Sequence, residues 1–478
     1  MRLLFSSYLL FMESKVKTKK KHIPNNKEGK MCSQSSVGFQ PTKKRKRKRQ
    51  ITILLIIVIF VTMAAMSCES TKPKPSINEP IIFNVESAEQ WFETIEKIKE
   101  NGEYHEYIIN ILDDFQLPHS TENTFGNTRN ISVLIKGKHT ISLGKYGTLL
   151  TIASNQNVTI EDVILQGVEE HDEPSPPHYS LVDAYGDFTM QGEAKITGGI
   201  LGVYVYTGFY LKENASITNN IAGVTVEGQC FMSDNASISH NGSAVSVQYP
   251  MWAPWVLFEM SGGNISDNNK VITEPNERNT TGITIRGATF RMLGGSISGN
   301  MINNGTYLDG AVVTIYDHGS FLMYDGSISD NYSNGVRLIS LLPPGEIFSD
   351  DDVIARQAHT ALFHMRGGTI FGNKGEAGVV NDGDLSYIIL SGGTIYGSID
   401  TPDDLKNGDK AIKTRESEHP FIRYGNNYKV LPDRDGHEYY TRHTIIGKPG
   451  VLTELAPDDS IGLEKNNEIE NKPIRSEQ

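Results

Sequence analysis

FYLKENASITNN, residues 209–220, returns 21 residues later as CFMSDNASISHN, residues 230–241. Each copy opens with two apolar residues spaced by two, crosses a short polar turn, and closes on Ile, a hydroxyl residue and, three positions after the Ile, Asn. A spacing of two buries one face of a strand. Working outward from this pair, the pattern resolves into columns. The first holds Phe188, Phe209, Cys230, Phe258, Phe290, Phe321, Phe363 and Ile388. Two residues later come Met190, Leu211, Met232, Met260, Met292, Met323, Met365 and Leu390, and then Ile196, Ile217, Ile238, Ile265, Ile297, Ile328, Ile370 and Ile395. Three short strands per rung, separated by Gly or Asn turns, describe a coil that advances one strand spacing per turn. The period is too short for a propeller blade and too strand-like for a helical solenoid, and the Leu-x-x-Leu-x-Leu spacing of a leucine-rich repeat is absent. What remains is an all-β solenoid, a parallel β-helix.

In such a coil like stacks on like, about 4.8 Å apart. Asn220, Asn241, Asn268, Asn300, Asn331 and Asn373 form a column of their own, expected to be an internal amide ladder at a turn. Cys230 falls in the Phe column and reads as a small buried filler rather than a reactive thiol. The coil's open ends must be covered. Ser87 and Gln90 pair as a capping box; Trp91, Ile95 and Ile98 share one helical face; Asn101-Gly102 ends that helix. It is expected to cap the N-terminal end.

The formal charge of −12 hides two opposite regions. Residues 1–67 carry 15 Lys and Arg against 2 Asp and Glu, leaving 30 basic and 55 acidic side chains, a balance of −25, for residues 68–478. So acidic a body repels polyphosphates at long range, which argues against nucleic acid as a partner. The basic run KKRKRKR at residues 43–49 abuts the uncharged apolar segment 51–66, the layout of an export signal. Ala65-Met66-Ser67-Cys68 is similar to a bacterial lipoprotein signal with Cys68 as the acylated residue, although Met66 departs from the small residue usual there. An uncleaved membrane span over the same segment is the alternative.

The expected organisation is a basic stretch and signal over 1–67, a linker over 68–80, an N-terminal cap and first strands over 81–130, the β-helix over 131–400, a C-terminal cap over 401–455 and a disordered tail over 456–478. Beyond the repeat itself, Ser87-Ala-Glu-Gln-Trp91, Tyr107-Ile-Ile109, Phe115-Gln-Leu-Pro118, Phe125-Gly126, Ile135-Lys-Gly137, Leu149-Leu-Thr-Ile152 with Gln156, and Gly-Gly-x-Ile-Ser-x-Asn units such as 294–300 carry a resemblance. The chain resembles spirochaete surface lipoproteins with a pectate-lyase-like right-handed parallel β-helix. That resemblance covers about residues 81–400. It implies a right-handed coil, a place in the bacterial cell envelope and membrane anchoring, and it carries no catalytic residues.

Two functional classes follow: a non-enzymatic, adhesin-like surface protein that binds carbohydrate or host matrix through its loops, and, as the alternative, a polysaccharide lyase or glycoside hydrolase. Fold alone does not choose between them. Outward positions beside the Ile column are mostly Ser or Asn rather than stacked acids: Ser216, Ser237, Asn264, Ser296 and Ser327. Asp267 and Asp330 share a column two rungs, about 9.6 Å, apart, at the far edge of the spacing an inverting carboxylate pair uses, and both sit in turns. His240, Asp317, His318 and Asp325 are scattered over different rungs. No catalytic residue, metal site or cofactor is therefore assigned. Where the period is broken, loops emerge, and these often make the binding face of a solenoid. The insertions are 270–280 and 301–309 at one corner, and 248–255 and 341–360 at another. Tyr249-Pro-Met-Trp-Ala-Pro-Trp255 puts two of the three tryptophans in a Pro-stiffened loop, which makes Tyr249, Trp252 and Trp255 the candidate ligand-binding residues.

Overall fold

A computed structural model describes residues 79–118, 124–168, 179–249, 255–268, 282–301, 310–340, 360–375, 377–383 and 386–396, together with short strands between 410 and 454. Cys68, Trp252 and the export segment lie outside the described residues. No helix among them is long and apolar enough to cross a membrane.

The body is a parallel β-helix with three faces. Each rung runs through a strand of the first face (for example Gly208–Leu211), one of the second (Ser216–Thr218) and one of the third (Ala222–Val226) before the next begins at Gln229–Met232. Strands of one face pair in parallel and in register, Phe188↔Phe209↔Cys230↔Phe258↔Phe290↔Phe321↔Phe363↔Ile388. Their side chains are buried. The Phe rings stack, with centroids 4.9 Å apart for Phe258–Phe290 and 4.7 Å for Phe290–Phe321. Cys230 is free and fully buried in this column, and burial raises its thiol pKa, so it is an unreactive filler.

The coil begins earlier than the Phe-Met pattern does. The same column continues upstream through Val158, Val133 and Tyr107 to Ile81. These rungs escape the motif because Val, Ile and Tyr replace Phe there, while the period of two is unchanged. Helix α1, Ala88–Asn101, therefore follows the first strand, Ile81–Val85, rather than preceding the coil. Its N-terminus is held by Ser87 Oγ, which accepts from Gln90 N at 3.4 Å, and by Gln90 Oε1, which accepts from Glu86 N at 2.8 Å. Trp91, Thr94, Ile95 and Ile98 are buried beneath it, with Trp91 6.2 Å from the Phe115 ring, and Gly102 ends it at φ 81°. At the other end the last parallel strands, Lys410–Thr414 and Phe421–Tyr424, are followed by antiparallel pairing of Tyr439–Thr441 with Thr444–Ile446.

The turn after the second face carries the amide ladder. Asn220 Nδ2 donates to Asn241 Oδ1 at 3.0 Å, and the pattern repeats through Asn268, Asn300, Asn331 and Asn373 at 2.8–3.0 Å. The turn's left-handed backbone angle falls on the residue before each Asn: Asn219, His240, Asp267, Gly299, Asp330 and Gly372 all have φ between 54° and 67°. The ladder Asn are buried, and their amides satisfy the polar groups of a turn from which water is excluded. The Gly-Gly units have a packing reason too. Gly295 has φ 84°, and a Cβ there would sit 2.6 Å from the Met260 methyl of the neighbouring rung.

Candidate functional site

The residues that bracket the insertions place them where the sequence put them: one pair leaves the turn after Asn268 and Asn300, the other joins the third face to the first. This second corner carries the exposed rings of Tyr185, Tyr206 and Trp255. The inward column of the third face runs Ala184↔Val205↔Val226↔Val247↔Ile285↔Ile315. The residue after each turns outward, giving Tyr185, Tyr206, Glu227, Gln248, Arg286 and Tyr316 in line along the axis. Five ladder steps of about 4.8 Å make this line ~24 Å long.

Backbone hydrogen bonds hold these side chains in place. Tyr185 N donates to Ile152 O and Tyr206 N to Ala184 O, each at 2.9 Å, and Tyr316 N to Ile285 O at 2.8 Å. With the rungs held at ladder spacing the rings stack: Tyr185 and Tyr206 have centroids 4.1 Å apart and planes 10° from parallel, and Tyr204 stacks on Tyr206 at 4.4 Å. Tyr204 Oη donates to Glu227 Oε1 at 2.6 Å. Burial and the Glu227 carboxylate raise the Tyr204 pKa, so this phenol remains a donor at neutral pH. Farther along, the Arg286 guanidinium lies 5.2 Å from the Tyr316 ring centre.

Of the three ligand-binding candidates read from the sequence, two are described and they touch. Tyr249 N donates to Arg286 O at 2.9 Å, and the Tyr249 ring packs partly on the core. Trp255 meets it edge to face at 5.8 Å and is 57% exposed. They lie on the same corner as the tyrosine line. The insertions do not single out Tyr204 and Tyr206, which sit in the unbroken 21-residue rung from Phe188 to Phe209. Their signal is the alternation Tyr204-Val-Tyr206, which puts two large rings on outward positions; in register with Tyr204 the other strands carry Asp183, Thr225, Ser246, Thr284 and Thr314.

At the N-terminal end this line runs into a cleft of about 640 Å³, lined by Asn127, Arg129, Thr151, Ala153, Ser154 and Tyr185. It exists because the third face starts late: among the described residues no strand of that face precedes Leu150–Ile152. Residues 124–130 fill the place as a turn. Thr124 Oγ1 accepts from Thr151 N at 2.9 Å, where a neighbouring strand's carbonyl would be. Buried Gln156 pins the turn, its Nε2 donating to Gly126 O at 3.1 Å and Thr128 O at 2.8 Å while Oε1 accepts from Ala153 N at 2.9 Å. Asp183, in register with Thr151 and Tyr204, has its pKa raised by burial against hydrogen bonds from Ser180 and Thr148.

The other titratable groups remain apart. Asp267 and Asp330 occupy left-handed turn positions at φ 54° and 56°, with Gly299 in the rung between them, and Asp325 caps Gly326 N at 2.8 Å. His240 and His318 are turn residues at φ 56° and 61°. Among the described residues no group of three or more His, Cys, Asp or Glu is arranged to hold a metal ion. No protein-family model matches the chain, and neither a curated protein nor a solved structure matches it.

Proposed function

We propose that this chain is a non-enzymatic, adhesin-like lipoprotein of the bacterial cell envelope that binds carbohydrate along one corner of its β-helix. The supporting observation is the aromatic line, with Tyr185, Tyr206 and Trp255 exposed and Tyr204 and Tyr249 half-buried, interleaved with Glu227, Gln248 and Arg286 on a rigid ladder. Sugars lay their C–H faces on aromatic rings and their hydroxyls on polar neighbours. Rings fixed by backbone pairing lose little entropy on binding. The resemblance to spirochaete surface lipoproteins supports the envelope location, as does the basic run ahead of the apolar segment.

Trp252→Ala combined with Trp255→Ala is expected to abolish binding on a glycan array or to host cells and to leave the melting temperature unchanged. A lowered melting temperature with binding intact would make the loop a cover for the flank of the coil. Release of new reducing or unsaturated sugar ends by the wild-type protein would overturn the non-enzymatic reading in favour of a hydrolase or lyase.

Anchoring has its own test. Acyl chains at Cys68 hold a protein stably at a membrane where a single chain is marginal. Cys68→Ala is expected to move the protein to the soluble fraction. If instead it remains membrane-bound at full precursor mass, the apolar segment 51–66 is a transmembrane anchor.

A further inference from the structure

We propose that the cleft lined by Arg129 and Tyr185 binds the terminal, carboxylate-bearing sugar of a glycan laid along the aromatic corner. This rests on the corner being a carbohydrate-binding surface and adds which sugar is read, and at which end. A chain that follows Tyr206 and Tyr185 toward the N-terminal end of the coil meets one more strand of the third face, Leu150–Ile152, and none beyond it among the described residues. It meets the turn 124–130, pinned by Gln156, with Asn127 and Arg129 facing the cleft. The volume of about 640 Å³ lies within the range of small-molecule pockets, roughly 300–1,000 Å³, so the blocked end suits a terminal unit rather than a polymer passing through.

The lining sets the chemistry. One face of the Tyr185 ring is occupied by Tyr206; the other side of the residue borders the cleft. Asn127, Thr151 and Ser154 offer an amide and two hydroxyls. Arg129 is exposed and forms no ion pair among the described residues. A guanidinium fork matches a carboxylate in two parallel charge-assisted hydrogen bonds.

Charge decides between one carboxylate and many. With a balance of −25 over residues 68–478, the body opposes a polyanion along its whole length. A single carboxylate at Arg129 feels mainly what lies within a screening length of about 8 Å. On the strand next to the cleft residue Thr151, in register with it, the Asp183 carboxyl is engaged by the Ser180 and Thr148 hydroxyls. A chain with one charged end therefore fits better than a polyuronate or a sulfated polymer.

The full-length protein titrated with 3′-sialyllactose and with its methyl ester isolates the carboxylate. The free acid is expected to bind about tenfold tighter, which is about 1.4 kcal/mol. Arg129→Gln is expected to bring the ratio to about one, and Arg129→Lys to retain part of it. Equal affinity of acid and ester in the wild type, or an unchanged ratio in Arg129→Gln, overturns the proposal while carbohydrate binding at the corner stands. Tighter binding of a galacturonate oligomer than of sialyllactose overturns it as well. Failure of every glycan on an array to bind would instead remove the reading on which it rests.

Discussion

Phe290→Ala is expected to destabilise the β-helix by about 3–5 kcal/mol, the range for truncating a buried aromatic side chain. The upper part of that range applies here because the site cannot collapse. Phe290 lies between the Phe258 and Phe321 rings at 4.9 and 4.7 Å, and the backbone ladder holds those two rungs apart whatever the side chain between them. Denaturant unfolding gives the magnitude, and hydrogen exchange should place the loss in the rungs flanking residue 290, since a solenoid rung contacts only its neighbours. Arg291→Ala, one residue on and facing outward, is the control. Its guanidinium pairs with Glu259 at 2.8 Å, but the Arg291 side chain is 39% exposed, so the expected cost is only about 0–1 kcal/mol. Equal losses at 290 and 291 would contradict the inward and outward assignment of the strand.

Asn268→Ala is expected to have an effect of similar size for a different reason. The Asn268 amide is fully buried: Nδ2 donates to Ile238 O, Ser266 O and Asn300 Oδ1 at 2.9–3.1 Å, while Oδ1 accepts from Asn241 N and Nδ2 at 3.0 Å each. Alanine leaves several of these groups without partners and away from water, each at about 1–3 kcal/mol, for a total of roughly 3–5 kcal/mol once the turn relaxes. Asn268→Asp is expected to be no better. It keeps the acceptor, loses the amide donors, and buries a carboxylate. The comparison is Asn235→Ala. Asn235 also donates to an Asn of the neighbouring rung, Asn214, at 3.3 Å, but that pair faces solvent, which replaces the lost bond. Its expected change is within about 0.5 kcal/mol. If Asn235→Ala and Asn268→Ala shift the denaturation midpoint alike, burial is not what gives the ladder its importance.

These contrasts separate two kinds of information in the chain. The period of two within strands and a rung of 21 residues at its shortest are a one-dimensional signal, and in a parallel coil it maps directly onto register, because each rung pairs only with the next. That is why the Phe, Met, Ile and Asn columns are readable as columns, and why the sequence alone assigns Phe290 and Asn268 to the interior. Insertions are equally legible as breaks in the period, so the Tyr249–Trp255 loop could be assigned to a corner. The start of the coil is legible as strand-like stretches over 107–112, 132–136 and 149–152, but not as columns, because Val133 and Val158 fill the Phe column without its motif.

What the sequence could not supply is the arrangement across rungs of side chains that point outward. The line Tyr185, Tyr206, Glu227, Gln248, Arg286 and Tyr316 answers to no packing constraint and changes residue type along its length, so it leaves no repeat to recognise. Tyr185 and Tyr206 are 21 residues apart in the chain and 4.1 Å apart as rings. Arg129 reaches the same cleft as Tyr185 from a turn that lies where a strand of the third face is missing. A periodic pattern determines the core because burial repeats with the rung; the cleft forms where the repetition has not yet begun, and only the folded chain brings its walls together.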